Sequence, residues 1–202
     1  MSQAALLTAS LDDYLTFERV SETKHEYHDG SIVAMAGGTG PHSLIAGRLI
    51  TSLNMRVVSR GCSVFNSDMR IYIDANRRSL YPDISALCGT PEYRDATRDV
   101  LLNPALIVEV LSSSTEGYDR GRKLALYMAL PSVVEIALVS QEEVRVDKFT
   151  RQPAGIWHFQ SFSGMDAVMP LVSLGTEVRL GDFYEGIELA PPSPEPGAER
   201  VP

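Results

Sequence analysis

The run Leu106-Ile107-Val108-Glu109-Val110-Leu111 sets one carboxylate inside an otherwise apolar, β-prone segment. Near-continuous hydrophobicity over residues 105–111 predicts a central strand covered on both faces. Period-2 alternation puts Ile107, Glu109 and Leu111 on one of those faces. A buried carboxylate is costly unless it is paired or binds a metal. Tyr81-Pro82-Asp83-Ile84-Ser85 repeats the pattern, with Asp83, Ser85 and Leu87 on one strand face. Two such acids on neighbouring strands would suit a hard divalent cation held by oxygen ligands. That combination points to metal-assisted hydrolysis.

The elements around these runs can be read in order. Ser10 and Asp13 have capping-box spacing and start a helix that runs to about Arg19. Asp29-Gly30 between Glu26-Tyr27-His28 and Ile32-Val33-Ala34-Met35 predicts a hairpin. Gly37-Gly38-Thr39-Gly40-Pro41 is a loop and lacks the Gly-Lys-Ser/Thr of a phosphate-binding loop. From His42 to about Ser59, Ile45, Leu49, Leu53 and Val57 recur every four residues, as in an amphipathic helix. Residues 64–74 and 80–88 read as two strands joined by a polar turn, and 89–103 as a loop. Ser112 to Thr115 supply turn and cap chemistry. A helix follows from about Tyr118 to Leu130, where Pro131 stops it. Residues 133–139 and 144–149 form a second hairpin, with short strands near 156–162 and 178–180. The expected fold is α/β or α+β, a mixed central sheet flanked by helices. One domain should cover residues 1–190, followed by a disordered Pro-rich tail over 191–202.

Composition narrows the function. The 202 residues carry 18 Lys and Arg against 26 Asp and Glu, a net charge of −8. That argues against a generic nucleic-acid coat and leaves a local basic groove possible. No apolar run reaches the roughly 20 residues of a membrane span, and the N-terminus lacks signal-peptide features. Cys62 and Cys88, the two cysteines, fit a reduced cytoplasmic protein and are expected as buried thiols. Neither has His or Cys partners at zinc-finger spacing.

Asp119, Lys123 and Tyr127 follow at i, i+4 and i+8, so they share one face of the Tyr118–Leu130 helix. A short turn separates that helix from the Glu109 strand, and Lys123 can reach back toward the carboxylates. Phosphodiester cleavage gains from such a cation near the scissile phosphate. Lys123 is expected on the polar face of its helix, important for turnover and of little weight in stability.

The chain resembles the PD-(D/E)XK nuclease superfamily, and within it the Uma-type restriction endonucleases. The match is carried by Glu26-Tyr27-His28-Asp29-Gly30, His42, Tyr81-Pro82-Asp83, Leu106 to Ser112, and Asp119-Arg120-Gly121-Arg122-Lys123 with Tyr127. The resemblance implies a restriction-endonuclease-like fold, a DNA substrate and dependence on Mg²⁺ or Mn²⁺. It carries metal-ligand roles to Asp83 and Glu109, a supporting acidic role to Glu26 and the catalytic lysine to Lys123. The general superfamily lysine would fall at Leu111. The family's aromatic-rich strand is replaced here by Pro131-Ser132-Val133-Val134-Glu135-Ile136-Ala137. A homodimer is expected, because two-fold symmetry presents two sites to two strands. The competing readings are a nuclease-fold binding or assembly module without chemistry, and a hydrolase of small phosphoesters. Metal-dependent turnover on DNA separates them.

Overall fold

The computed structural model describes residues 8–35, 37–112 and 116–189. The expected Pro-rich tail and most of the Ser112–Thr115 cap lie outside them. In chain order the elements are α1 (Leu11–Glu18), β1 (His25–His28), β2 (Ser31–Ala34), α2 (Gly40–Val57), β3 (Cys62–Asn66), β4 (Arg70–Ile73), β5 (Arg78–Leu80), β6 (Ile84–Cys88), β7 (Val100–Leu101) and β8 (Leu106–Val110). Then come α3 (Glu116–Tyr118), a π-helical stretch over Asp119–Lys123, and α4 (Leu124–Met128). The chain continues through β9 (Glu135–Val139), β10 (Arg145–Arg151), β11 (Trp157–Ser163), β12 (Val168–Leu171), β13 (Thr176–Arg179) and α5 (Gly181–Tyr184). This is an α+β fold with mixed sheets.

Local chemistry sets several boundaries. The Ser10 side chain accepts from the Asp13 amide while Asp13 accepts from the Ser10 amide, a complete capping box. Asp29 (φ 47°) and Gly30 (φ 97°) both lie in the left-handed region, which a two-residue hairpin with matching twist requires. The Thr39 hydroxyl caps α2 through the His42 amide.

Six strands form one sheet in the order β11-β10-β9-β8-β6-β3, and five form another in the order β2-β1-β5-β4-β7. β12 and β13 make a separate hairpin. Each of the two strands expected over 64–74 and 80–88 is therefore a pair. Asn66 ends β3 in the larger sheet, and Arg70 starts β4 in the smaller one. The chain returns through Tyr81-Pro82-Asp83 to begin β6. Alternating hydrophobicity marks a strand but not the sheet it joins, and Pro82 has no N–H to extend a ladder.

β8 sits inside the larger sheet, and its alternation divides the core. Leu106, Val108 and Val110 pack with Ile45, Leu49 and Leu53 of α2 and with the C-terminal hairpin. Ile107 and Leu111 face the other way, toward Leu124, Leu126 and Tyr127 and toward Ile71, Ile73 and Leu80 of the smaller sheet. The helical segment from Glu116 to Met128 is thus lodged between the two sheets, and Glu109 points at it.

Two observations depart from expectation. Cys62 and Cys88 are disulfide-bonded, not free thiols. They occupy directly facing positions of β3 and β6, a cross-strand proximity that spacing in the sequence does not reveal. Glu135, in the segment that replaces the aromatic-rich strand, forms a buried ion pair with Lys148 of β10. Lys148 Nζ lies 2.9 Å from Glu135 Oε1 and donates to the Pro170 carbonyl at 2.6 Å. Glu135 Oε2 accepts from the Ser173 amide and hydroxyl. The pair is satisfied on both sides, as buried charges must be, and it ties the C-terminal hairpin to the sheet. Among the described residues no helix is long and apolar enough to cross a membrane.

Candidate active site

β6 and β8 are antiparallel neighbours with Ile84 opposite Val108. Carrying that register one step further puts Asp83 opposite Glu109. Asp83 itself is the residue before β6 and not, as expected, part of a strand; the register of β6 on β8 brings it beside Glu109 from the loop. Asp83 Oδ2 accepts from the Val110 amide at 2.7 Å and lies 3.2 Å from His42 Nε2. That ring stands on the first turn of α2. A Cβ on Gly38 would lie 2.8 Å from His42 Nδ1, so the loop passes this close only because residue 38 is glycine.

Glu26, on β1, enters from the smaller sheet. Its Oε2 lies 3.2 Å from His28 Nε2, and its Oε1 is buried with no hydrogen-bond partner among the described residues. The lodged helix supplies the rest. Lys123 Nζ is 2.8 Å from Glu109 Oε1, 3.6 Å from Glu26 Oε1 and 3.8 Å from Asp119 Oδ1. The Tyr127 hydroxyl donates to the same Glu109 oxygen. Lys123 is 6% exposed, so it is not on a solvated helix face as expected. The π-helical stretch and the sandwiching sheets turn it inward, and three carboxylates compensate its charge.

Glu26, Asp83, Glu109 and Lys123 therefore line one cleft of about 680 Å³. Asp119, His42 and Tyr118 line it too. Asp119, which shares the Lys123 helix face and opens the Asp119–Lys123 segment, is not among the expected catalytic residues. Its i, i+4 spacing to Lys123 was the signal that could have brought it into the site.

The electrostatics separate the acids. Burial pushes the Glu109 carboxyl up to about 8; Lys123 opposes this, and Asp83 and Asp119 add to it. Burial acts on Asp83 in the same sense, but His42, the Val110 amide and Lys123 outweigh it and hold the carboxyl below its usual range. Glu26 is likewise burdened by burial and still lowered, chiefly by His28 and Lys123. Burial works against the Lys123 ammonium, yet Glu109, Glu26 and Asp119 hold its affinity for the proton above the ordinary lysine value. The hydrogen bond to Asp83 raises His42. Opposed acids with separated proton affinities are the usual arrangement for divided acid and base roles. Among the described residues no three His, Cys, Asp or Glu side chains converge at metal-holding distance. The Lys123 ammonium stands among the carboxylates instead.

Comparison with known proteins adds a family. The Uma2 family, described as "Putative restriction endonuclease", matches over residues 11–181. The chain is 36% identical over 178 residues to "Uncharacterized protein slr1290" of Synechocystis sp., covering 88% of this chain and 92% of that one. It is 30% identical over 162 residues to "Uncharacterized protein sll1609" of the same organism, covering 80% and 90%. In fold it is similar to a crystal structure described as "a putative nuclease belonging to DUF820" from Anabaena variabilis. That similarity has a TM-score of 0.69 at 22% identity, over 87% of this chain and 97% of the other.

Proposed function

This chain belongs to the Uma2 family, and we propose that it is a metal-dependent DNA endonuclease that hydrolyses phosphodiester bonds at the Asp83–Glu109–Lys123 site. The observation that carries the reading is the approach of Lys123 Nζ to within 2.8 Å of Glu109, with Asp83 opposite Glu109 in the extended strand register. A buried ion pair at the floor of an open cleft is a poor device for stability alone. It is a good one for presenting charge to a phosphate.

Mg²⁺ is usually held by one or two protein carboxylates and keeps several waters, so the oxygen donors here suit Mg²⁺ or Mn²⁺ without three converging side chains. The ion's ligands would be the carboxylates of Asp83 and Glu109, and the buried Glu26 Oε1 has an unmet capacity to accept. Such an ion supplies charge neutralisation and acidifies water at neutral pH. The protein's own groups do the remainder. His42 and the Val110 amide fix the orientation of Asp83. Tyr127 and Lys123 fix Glu109. Lys123, once Glu109 is engaged elsewhere, has its ammonium available for the scissile phosphate.

The test is plasmid cleavage in Mg²⁺ or Mn²⁺ with Asp83→Ala as control. Cleavage by the native chain that vanishes in Asp83→Ala and in chelator is the expected result. Equal cleavage by both proteins would refute the assignment.

A further inference from the structure

We propose that the cleft receives a single unpaired nucleotide, so that the preferred substrate is single-stranded DNA, or an unpaired segment of it, not intact duplex. This rests on the nuclease reading and specifies its substrate.

The first observation is depth. The reacting groups lie at the floor of a recess, with Glu109 3%, Lys123 6% and Asp119 4% exposed. Its volume of about 680 Å³ falls within the roughly 300–1,000 Å³ of pockets that enclose one small ligand.

The second is the lining. One wall is Val33, Ala34 and Met35 of the β2 edge and the residue after it, and Val33 is 49% exposed. Register places Val33 directly across from Glu26, so the apolar wall begins beside the carboxylates. A duplex presents sugar and phosphate to a nuclease, and its base faces are covered by stacking. Apolar surface beside the chemistry matches a base whose face is free.

The third is Tyr118. It lines the same cleft, and its hydroxyl is buried without a hydrogen-bond partner among the described residues. The ring meets His28 edge-on, 6.4 Å between centroids, and an aromatic ring in such a wall is the platform on which single-strand binders stack a base.

The fourth is charge. Four carboxylates line the cleft (Glu26, Asp83, Glu109 and Asp119) and two cations, Lys24 and Lys123. Lys24 is already paired with Asp68 at 2.7 Å. Binding along a DNA backbone, duplex or single-stranded, rests on neutralising many phosphates at once, whereas one enclosed nucleotide needs few. This cleft can serve one or two.

The experiment uses the full chain in Ca²⁺, with fluorescence anisotropy on a labelled mixed-sequence oligonucleotide, alone and annealed to its complement. The single strand should bind at least about tenfold more tightly, a difference of roughly 1.4 kcal/mol. Equal or tighter duplex binding would overturn the proposal. Tyr118→Leu should weaken single-strand binding by about 5- to 150-fold, the loss expected for one base–aromatic stack; an unchanged affinity counts against it. Cleavage in Mn²⁺ separates this inference from the nuclease reading. Duplex circles cut as fast as single-stranded circles would sink the inference and leave the nuclease reading standing. A single-strand binding preference with no cleavage of any DNA would sink the nuclease reading and leave the cleft as a binding site for an unpaired nucleotide.

Discussion

Lys123 and Glu109 form a buried pair, 2.8 Å between Nζ and Oε1, with side chains 7% and 5% exposed. Removing one partner of such a pair leaves the other charge without compensation. Above about pH 8, where Glu109 is ionised, Lys123→Met should therefore cost about 3 kcal/mol of stability, and less at neutral pH. The double variant Lys123→Met/Glu109→Gln should recover part of that loss, because the orphaned charge is gone. Thermal or urea denaturation of the four proteins closes the cycle. Strictly additive losses would show that the two groups do not interact. Cleavage by Lys123→Met should fall by roughly 10²-fold or more, the scale for losing one preorganised charged group.

Burial pushes the Glu109 carboxyl up to about 8, so a metal bound there would have to displace its proton at lower pH. Mg²⁺ affinity should rise with pH, by up to about tenfold per unit, and level off above about 8. Calorimetry between pH 6 and 9 would read this directly, along with proton release into buffer. The metal-free protein should behave in the opposite sense. Its Glu109 holds a proton that the unfolded chain, with an ordinary carboxyl of 4.5, has lost. The Glu109 contribution to stability thus declines as pH rises from 4.5 toward 8, by at most about 1.4 kcal/mol per unit. A pH-independent affinity would show that Glu109 is not a ligand.

His42 Nε2 lies 3.2 Å from Asp83 Oδ2, and in the proposed metal site it would orient that ligand from outside. Outer partners of this kind typically support metal affinity by 10- to 100-fold. His42→Ala should weaken Mg²⁺ binding on about that scale while the far-ultraviolet circular dichroism stays native. A loss of fold with no separate change in affinity would make the histidine structural.

The Cys62–Cys88 bond closes a loop of 26 residues in sequence separation. Chain-entropy reasoning assigns such a crosslink about 3–4 kcal/mol. A Cys62→Ser/Cys88→Ser protein should melt several degrees lower, as should the native chain in strong reductant. Identical melting with and without reductant would mean that the thiols are not joined in solution.

Much of this architecture is legible in the residues themselves. Ser10 with Asp13, Asp29-Gly30 and Pro131 each announce a boundary through local chemistry. The Leu106–Leu111 run announces a covered strand, and its single Glu is conspicuous. What escapes local reading is pairing across distance. Periodicity makes Val64 and Ile71 look like one strand, although Val64 belongs to one sheet and Ile71 to another. The facing of Cys62 and Cys88 depends on a register fixed by the whole sheet. Lys123 reads as an ordinary surface lysine until two sheets close over its helix. The Lys148–Glu135 pair is hidden for the same reason. Glu26, Asp83, Glu109 and Lys123 line one cleft, because each lies on or beside an element that the hydrophobic pattern itself positions.

The π-helical turn has a consequence for how such a helix can change. Leu124 donates to the Asp119 carbonyl, a link one residue longer than the ordinary helical step. The extra residue works as a phase joint. Within it, Asp119 and Lys123 line the cleft; behind it, Leu124, Leu126 and Tyr127 keep their places in the core. A residue gained or lost at this joint would re-aim the chemical end of the helix and leave the packed end in step. The spacing between the strand acid and the helix lysine is thereby free to drift while the core that supports both stays fixed.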